Sequence, residues 1–297
     1  MKEKKRWFSS VKKYSRFKRR HLFIRAMLAM ARRGFKKTEV IFSEPLPSDE
    51  SVIICSNHAL DYGPTAFLTG YKRPNRMWSD ASLCYASRVH NHAMLCFWPT
   101  ARGMFKILGH IAGYILSPIL PIIFRGLEVI PVYRNPKMLI TFEKTAETIA
   151  ENKDVIIFPE TEIKNPDYKF VNHINNGFIR VAKTCYLKTG KIVKFYPAYA
   201  CKPLRKLIIG HPITVDPSIP DKLQLKEFKR KIADEIERIA NELPPHEIVP
   251  FNLPADPQLF KKYGPKDKYD YKDLRNALNS SEKRQDPKND GGDSPNA

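Results

Sequence analysis

Short apolar runs alternate with amphipathic stretches along most of the chain. Val52 to Cys55 is an apolar run of strand length, and it delivers Ser56, Asn57 and His58 to its C-terminal end. Leu127 to Val132, Val155 to Phe158, Val193 to Ala200 and Leu207 to Ile209 read as further strands. Between the strands at 127 and 155, Leu139, Phe142, Ala146 and Ile149 share one helical face. A strand, a crossover helix and a strand of these lengths imply parallel pairing. Gly177 to Leu187 reads as a helix. Leu225, Phe228, Ile232, Ile236, Ile239 and Leu243 step by 3, 4, 4, 3 and 4, which is an amphipathic helix that Pro244-Pro245 stops. The pattern predicts an α/β fold: a single, mostly parallel sheet flanked by helices, preceded by a basic N-terminal helical arm.

One stretch departs from the alternation. Ile107 to Phe124 is 18 residues without a formal charge, close to the length that crosses a bilayer. Pro118 and Pro121 interrupt it, so the expectation is a helix to about Leu116 followed by a Pro-bounded connection that is partly core and dips into one leaflet.

Charge changes the picture at the N-terminus. The net charge is +20 over 297 residues, and residues 1–37 hold fifteen Lys/Arg against the single acid Glu3, giving 15 − 1 = +14. There Trp7, Phe8, Val11, Tyr14 and Phe17 fall on one helical face among Lys12, Lys13, Arg16 and Lys18. Aromatic tips over a cationic face suit the headgroup layer of an anionic membrane. No nucleic-acid fold signature follows the arm, so a nucleic-acid partner is not expected. The expected organisation is an arm over residues 1–44, an α/β domain over 45–255 and a polar, largely disordered tail over 256–297.

Five cysteines without a C-x-x-C pair indicate a reducing compartment. Cys84, His90, His92 and Cys96 are all metal-ligand types, but their spacing matches no common zinc site. Neither a metal nor a resident cofactor is expected.

The candidate chemistry collects at strand ends, which converge on one edge of a parallel sheet. Asn57 and His58 follow one strand, Arg134 a second, and Phe158-Pro159-Glu160 close a third. A histidine there is suited to take a proton from a hydroxyl. Asp61, three residues on, is placed to stabilise its imidazolium if the segment is helical. Arg134 and neighbouring lysines are able to hold a phosphate. Strand-end His, Glu and Arg also serve commonly as helix caps and mutual ion pairs, so the spacing alone leaves catalysis and structure both open.

Six blocks in order carry a resemblance. They are Ser56-Asn57-His58, Gly126 through Arg134, Phe158-Pro159-Glu160, Asn176 through Ala182, Phe195-Tyr196-Pro197 and Ile209 through Ile213. Over about residues 45–245 they resemble the PlsC-like glycerophospholipid acyltransferase (lysophospholipid acyltransferase) family. The resemblance implies transfer of an acyl group from a thioester, acyl-CoA or acyl-carrier protein, to a hydroxyl of a lysophospholipid or related lipid. It matches His58 to the family's base, Arg134 to its acceptor-phosphate ligand and Phe158-Pro159-Glu160 to its third motif. With Asp61 taken as the acid from its spacing to His58, the expected substrate-binding set is Asn57, Arg134, Glu160, Thr161 and Lys164. Together with the basic aromatic arm and the reduced cysteines, the expected location is the cytoplasmic face of a membrane, peripheral or monotopic, with an anionic lipid surface as partner.

Two departures from the family pattern stand out. The family's acid falls five residues after its histidine, and that position is Gly63 here. The Gly-Thr-Arg that follows F-P-E in the family is Thr161-Glu162-Ile163 here. The rival to an active enzyme is therefore a catalytically degenerate lipid- or acyl-binding protein on the same fold.

Overall fold

The computed structural model describes residues 37–96, 103–133, 136–175, 177–217 and 221–251, together with Ala29, Arg33, Phe35 and Lys262. Most of the expected arm, the whole expected tail except Lys262, and Arg134 lie outside the described residues.

Among the described residues the central sheet has eight strands. Its middle is β2 (Ile53–Ser56), flanked by β5 (Asp154–Ile157) and β8 (Lys194–Cys201), both parallel to it. Beyond β5 lie β3 (Asn75–Asp80) and β4 (Ile130–Val132), also parallel. Beyond β8 the direction reverses at β9 (Lys206–Ile209), which pairs in parallel with the edge strand β1 (Glu39–Phe42). The short β10 (Ile213–Thr214) pairs antiparallel with the start of β8. A separate hairpin, β6 (Glu160–Lys164) and β7 (Asn172–Ile174), follows β5.

The sheet is covered on both faces, which is why its central strands read as continuous apolar runs. Ile53, Cys55, Val155, Ile157 and Phe195 point to one face and form the larger core with α4 (Met138–Ala150), α5 (Val181–Thr189) and α6 (Asp221–Asn241). Ile54, Ile156, Tyr196 and Ala198 point to the other, where Ala66 and Phe67 of α1 (Tyr62–Gly70) meet them. Phe142, Ala146 and Ile149 of α4, and Phe228, Ile232, Ile236 and Ile239 of α6, are buried as their spacing requires. The mostly parallel α/β architecture read from the periodicity is the one present.

Three local expectations are corrected. Residues 39–42, assigned to the helical arm, are a strand at the sheet edge. Residues 177–180 form a 3₁₀ turn, and the α-helix begins only at Val181. The apolar segment does not stop at Leu116: α3 runs unbroken from Met104 to Gly126 through Pro118 and Pro121. Each proline removes one N–H donor, but an apolar helix packed on a neighbour tolerates the loss. Ser117 Oγ adds a hydrogen bond to the Gly113 carbonyl in the turn before the first proline, at 2.8 Å. The neighbour is α2 (Ala86–Cys96), which packs along α3 as an antiparallel hairpin partner. The candidate zinc ligands are divided there: His90 Nε2 meets His110 Nδ1 at 3.0 Å, and His92 Nδ1 meets Ser82 Oγ at 2.8 Å.

Candidate active site

Because β2, β5, β3 and β4 run parallel, their C-terminal ends share one edge of the sheet. His58 leaves the end of β2 there. Phe158-Pro159-Glu160 leaves the end of β5 beside it.

The turn that carries His58 is conformationally costly. Ala59 and Leu60 are both left-handed, with φ of +47° and +56°, although neither is glycine. Such residues cost on the order of 1 kcal/mol or more each. Main-chain hydrogen bonds hold them in place. Tyr62 N–H donates to Ala59 O, Gly63 N–H to His58 O and Leu60 N–H to Pro250 O, all at 3.0–3.1 Å.

Glu160 fixes the turn from the other side. One carboxylate oxygen accepts from His58 N–H at 2.8 Å, and the other from Asn172 N–H at 2.9 Å. Glu160 therefore joins the His58 turn to the β6–β7 hairpin through the main chain and does not orient the imidazole. Asn57 has a comparable structural grip. Its Oδ1 accepts from Ala200 N–H at 2.6 Å while its Nδ2 donates to Ala200 O at 3.2 Å, locking the exit of β2 to β8.

The imidazole itself lies between two phenyl rings. Phe158 meets it edge-on at 5.3 Å, and Phe251 lies tilted at 5.1 Å. Nδ1 is buried with no hydrogen-bond partner among the described residues. Burial pulls the His58 pKa below the ordinary histidine value, with the Leu60 main chain and the Asp61 charge opposing it. The ring is therefore neutral at pH 7 and able to accept a proton.

Asp61 acts on His58 only through space. It is exposed at the start of α1 and makes no side-chain cap. Thr161 Oγ1 donates to His173 O at 3.0 Å within the hairpin, and Lys164 stands exposed at the end of β6. Arg134 lies outside the described residues; β4 ends at Val132, at the same sheet edge as the ends of β2 and β5.

Two features escaped the sequence reading. Phe251 and Pro250 arrive from beyond α6 to close over His58, and nothing in their local pattern marks them. The strap is held by His246, which stacks on Phe170 at 5.0 Å and meets Tyr199 Oη through Nε2 at 2.9 Å. The second feature is the meaning of Gly63. A Cβ there would lie 2.6 Å from His58 O, 2.8 Å from Asn57 O and 3.1 Å from Phe158 Cε1. The missing acid is thus sterically excluded from this backbone.

Glu160 gives a test of the arrangement. Burial pushes its carboxyl from 4.5 up to about 6, with the Asn172 and His58 N–H groups pulling the other way. The folded value lies above the unfolded one, so the folded chain binds the extra proton between about 4.5 and about 6. Stability from this group is therefore highest below that window and falls as pH rises through it, by on the order of 2 kcal/mol. Glu160→Gln cannot supply two acceptors, and its NH₂ must face one of the two N–H groups. Urea unfolding of parent and variant at pH 4.5 and pH 7 should show the parent losing stability relative to the variant across that interval. A pH-independent difference would mean that Glu160 is not a buried charge.

No protein-family model matches the chain, and no curated protein matches it. Among solved structures it is similar to the 1-acyl-sn-glycerophosphate (LPA) acyltransferase PlsC from Thermotoga maritima. The identity is 16% and the TM-score 0.39, over 75% of this chain and 81% of that one. At that overlap the likeness carries no inference about chemistry. What the site can do rests on its own geometry: a neutral histidine in an aromatic cage, on a turn held rigid at the C-terminal edge of a parallel sheet.

Proposed function

We propose that the protein is an O-acyltransferase, moving a fatty acyl group from a thioester donor to a hydroxyl of a (lyso)glycerophospholipid or related lipid at a membrane surface. The observation that carries this reading is His58: flanked by Phe158 and Phe251, and fixed through its main chain by Glu160, with burial favouring its neutral form. An apolar cage of this kind suits an acyl chain beside a base.

In the proposed reaction Nε2 takes the acceptor's hydroxyl proton as that oxygen attacks the thioester carbonyl. The tetrahedral intermediate collapses by breaking the C–S bond. The leaving thiolate recovers the proton from the imidazolium, so ester and free thiol form in equal amounts. Asp61 stabilises the imidazolium by charge, at a distance. Arg134 and Lys164 are the proposed cations for an acceptor phosphate, with Thr161 on the same strand as Lys164. The N-terminal arm holds the protein near its lipid substrate.

The unpartnered Nδ1 favours a second reading. Among the described residues no carboxylate fixes the base-competent tautomer, which fits a site that binds lipid without turning it over. Incubating the full chain with labelled acyl-CoA or acyl-carrier protein and a panel of lysolipids separates the two. The first reading expects an ester, identified by mass, with stoichiometric thiol release. Saturable lipid binding without product establishes the second.

A further inference from the structure

Helix α3 is apolar, yet it is not a core helix. Met104, Leu108, Ile111, Ile115, Ile119 and Ile122 step by 4, 3, 4, 4 and 3, so they share one face, and they are 39–69% exposed. Only 17% of the helix's most apolar window is buried in the molecule. Monomeric soluble proteins seldom leave so continuous an apolar stripe in water. Two exposed aromatics, Phe105 and Tyr114, lie at its flanks.

Length alone would let this helix span a bilayer: 23 residues reach about 34 Å at 1.5 Å per residue. Its inner face argues otherwise. His90 of α2 lies over Gly113, where a Cβ would come within 3.0 Å of His90 Cδ2. The His90 ring stacks on His110 at 5.1 Å and on Tyr114 at 4.3 Å. Gly109, Gly113 and Pro121 are the buried positions along this side, as a close helix pair requires. A helix fastened along one side presents its other side sideways, in the plane of whatever it meets.

Charge selects the occupant. Residues 86–126 contain Arg88, Arg102, Lys106 and Arg125 and no aspartate or glutamate at all. A second copy of this face would bring like charges together. The arm, at +14 over residues 1–37, would do the same. An anionic lipid surface accepts both the stripe and its cations. We propose that the exposed face of α3 is a docking surface on which the protein lies on an anionic bilayer. This inference is independent of catalysis and holds for either reading of the site.

The placement also makes chemical sense. The hairpin packs on the 3₁₀ turn Ala81–Cys84, which follows the C-terminal end of β3, and Arg125 reaches the Cys84 carbonyl at 3.4 Å. That turn stands at the same sheet edge as His58, so the docking helix is rooted at the edge where the candidate chemistry lies.

The test is flotation of the full chain with phosphatidylcholine vesicles, with and without phosphatidylglycerol. The double variant Ile111→Asp/Ile115→Asp places two carboxylates on the stripe. It should bind the anionic vesicles roughly 10-fold or more weakly than the parent. Ile192→Asp, an equally exposed isoleucine outside α3, should bind as the parent does. Unchanged melting of both variants confirms folding, as expected for substitutions of exposed side chains. Undiminished binding of the folded double variant would overturn the proposal and leave docking to the arm. So would a parent that is dimeric without lipid and becomes monomeric in the double variant, because the stripe would then be covered by a second copy. Equal binding of the parent to both vesicle types would overturn the choice of an anionic partner.

Discussion

His58→Ala should lower acyl transfer by ~10²–10⁴-fold, the usual cost of a lost general base, while the protein stays folded. Nδ1 has no hydrogen-bond partner among the described residues, so removing the imidazole costs its packing against Phe158 and Phe251 and its interaction with the Leu60 main chain, and no side-chain network. The main-chain bond to Glu160 survives the substitution. The pH profile makes the assignment sharper. Burial holds the His58 pKa below its ordinary value, so the acid limb of kcat/KM should inflect below about 6.5. The Asp61 charge raises that pKa, and Asp61→Asn should therefore move the inflection lower still. A purely structural Asp61 would leave it in place. Turnover unchanged in His58→Ala would remove this histidine from the chemistry altogether.

The parts of the fold that could be read from sequence are those whose burial is complete. β2, β5 and β8 are closed on both faces, and their apolar runs announce them. The turns of α4 and α6 alternate between core and water, so their periodicity is unmistakable. β3 was missed because all six of its residues are only partly buried. Its polar side chains are held by particular partners: Arg76 by Glu128 at 2.9 Å, and Trp78 Nε1 by Thr145 Oγ1 at 2.9 Å. Pairings across 52 and 67 residues leave no local pattern. The α3 prolines misled for a related reason, since α2 supports the helix from outside its own sequence. At the site the strand-end logic gathered His58 and Glu160 but assigned the carboxylate to substrate. Its grip on two main-chain N–H groups is a property of the hairpin it begins. Phe251 lies 193 residues from His58 in sequence and was invisible for the same reason.

Restoring the absent acid should fail. A motif-based repair would place aspartate at position 63, five residues after His58, and predict a faster enzyme. The backbone predicts a damaged one. Gly63 opens α1 with its Cα directed at the carbonyl oxygens of Asn57 and His58, and a Cβ would stand 2.8 Å and 2.6 Å from them. These atoms belong to the main chain of the turn that Glu160, Ala200 and Pro250 fix, so they cannot yield as the end of a flexible side chain would. Gly63→Asp adds a carboxylate beside two acceptors that have no proton to offer it. Overpacking and an unpaired buried charge together should cost at least ~3 kcal/mol. Gly63→Ala should cost a smaller part of this, since it carries the steric clash without the charge. Urea unfolding of the two variants separates the contributions, and acyl transfer should fall in both because the His58 turn is displaced. If Gly63→Asp instead proves as stable as the parent and turns over faster, the turn relaxes enough to seat an acid at this position. His58 would then need a hydrogen-bonded carboxylate, and the charge of Asp61 acting through space would not be sufficient to support it.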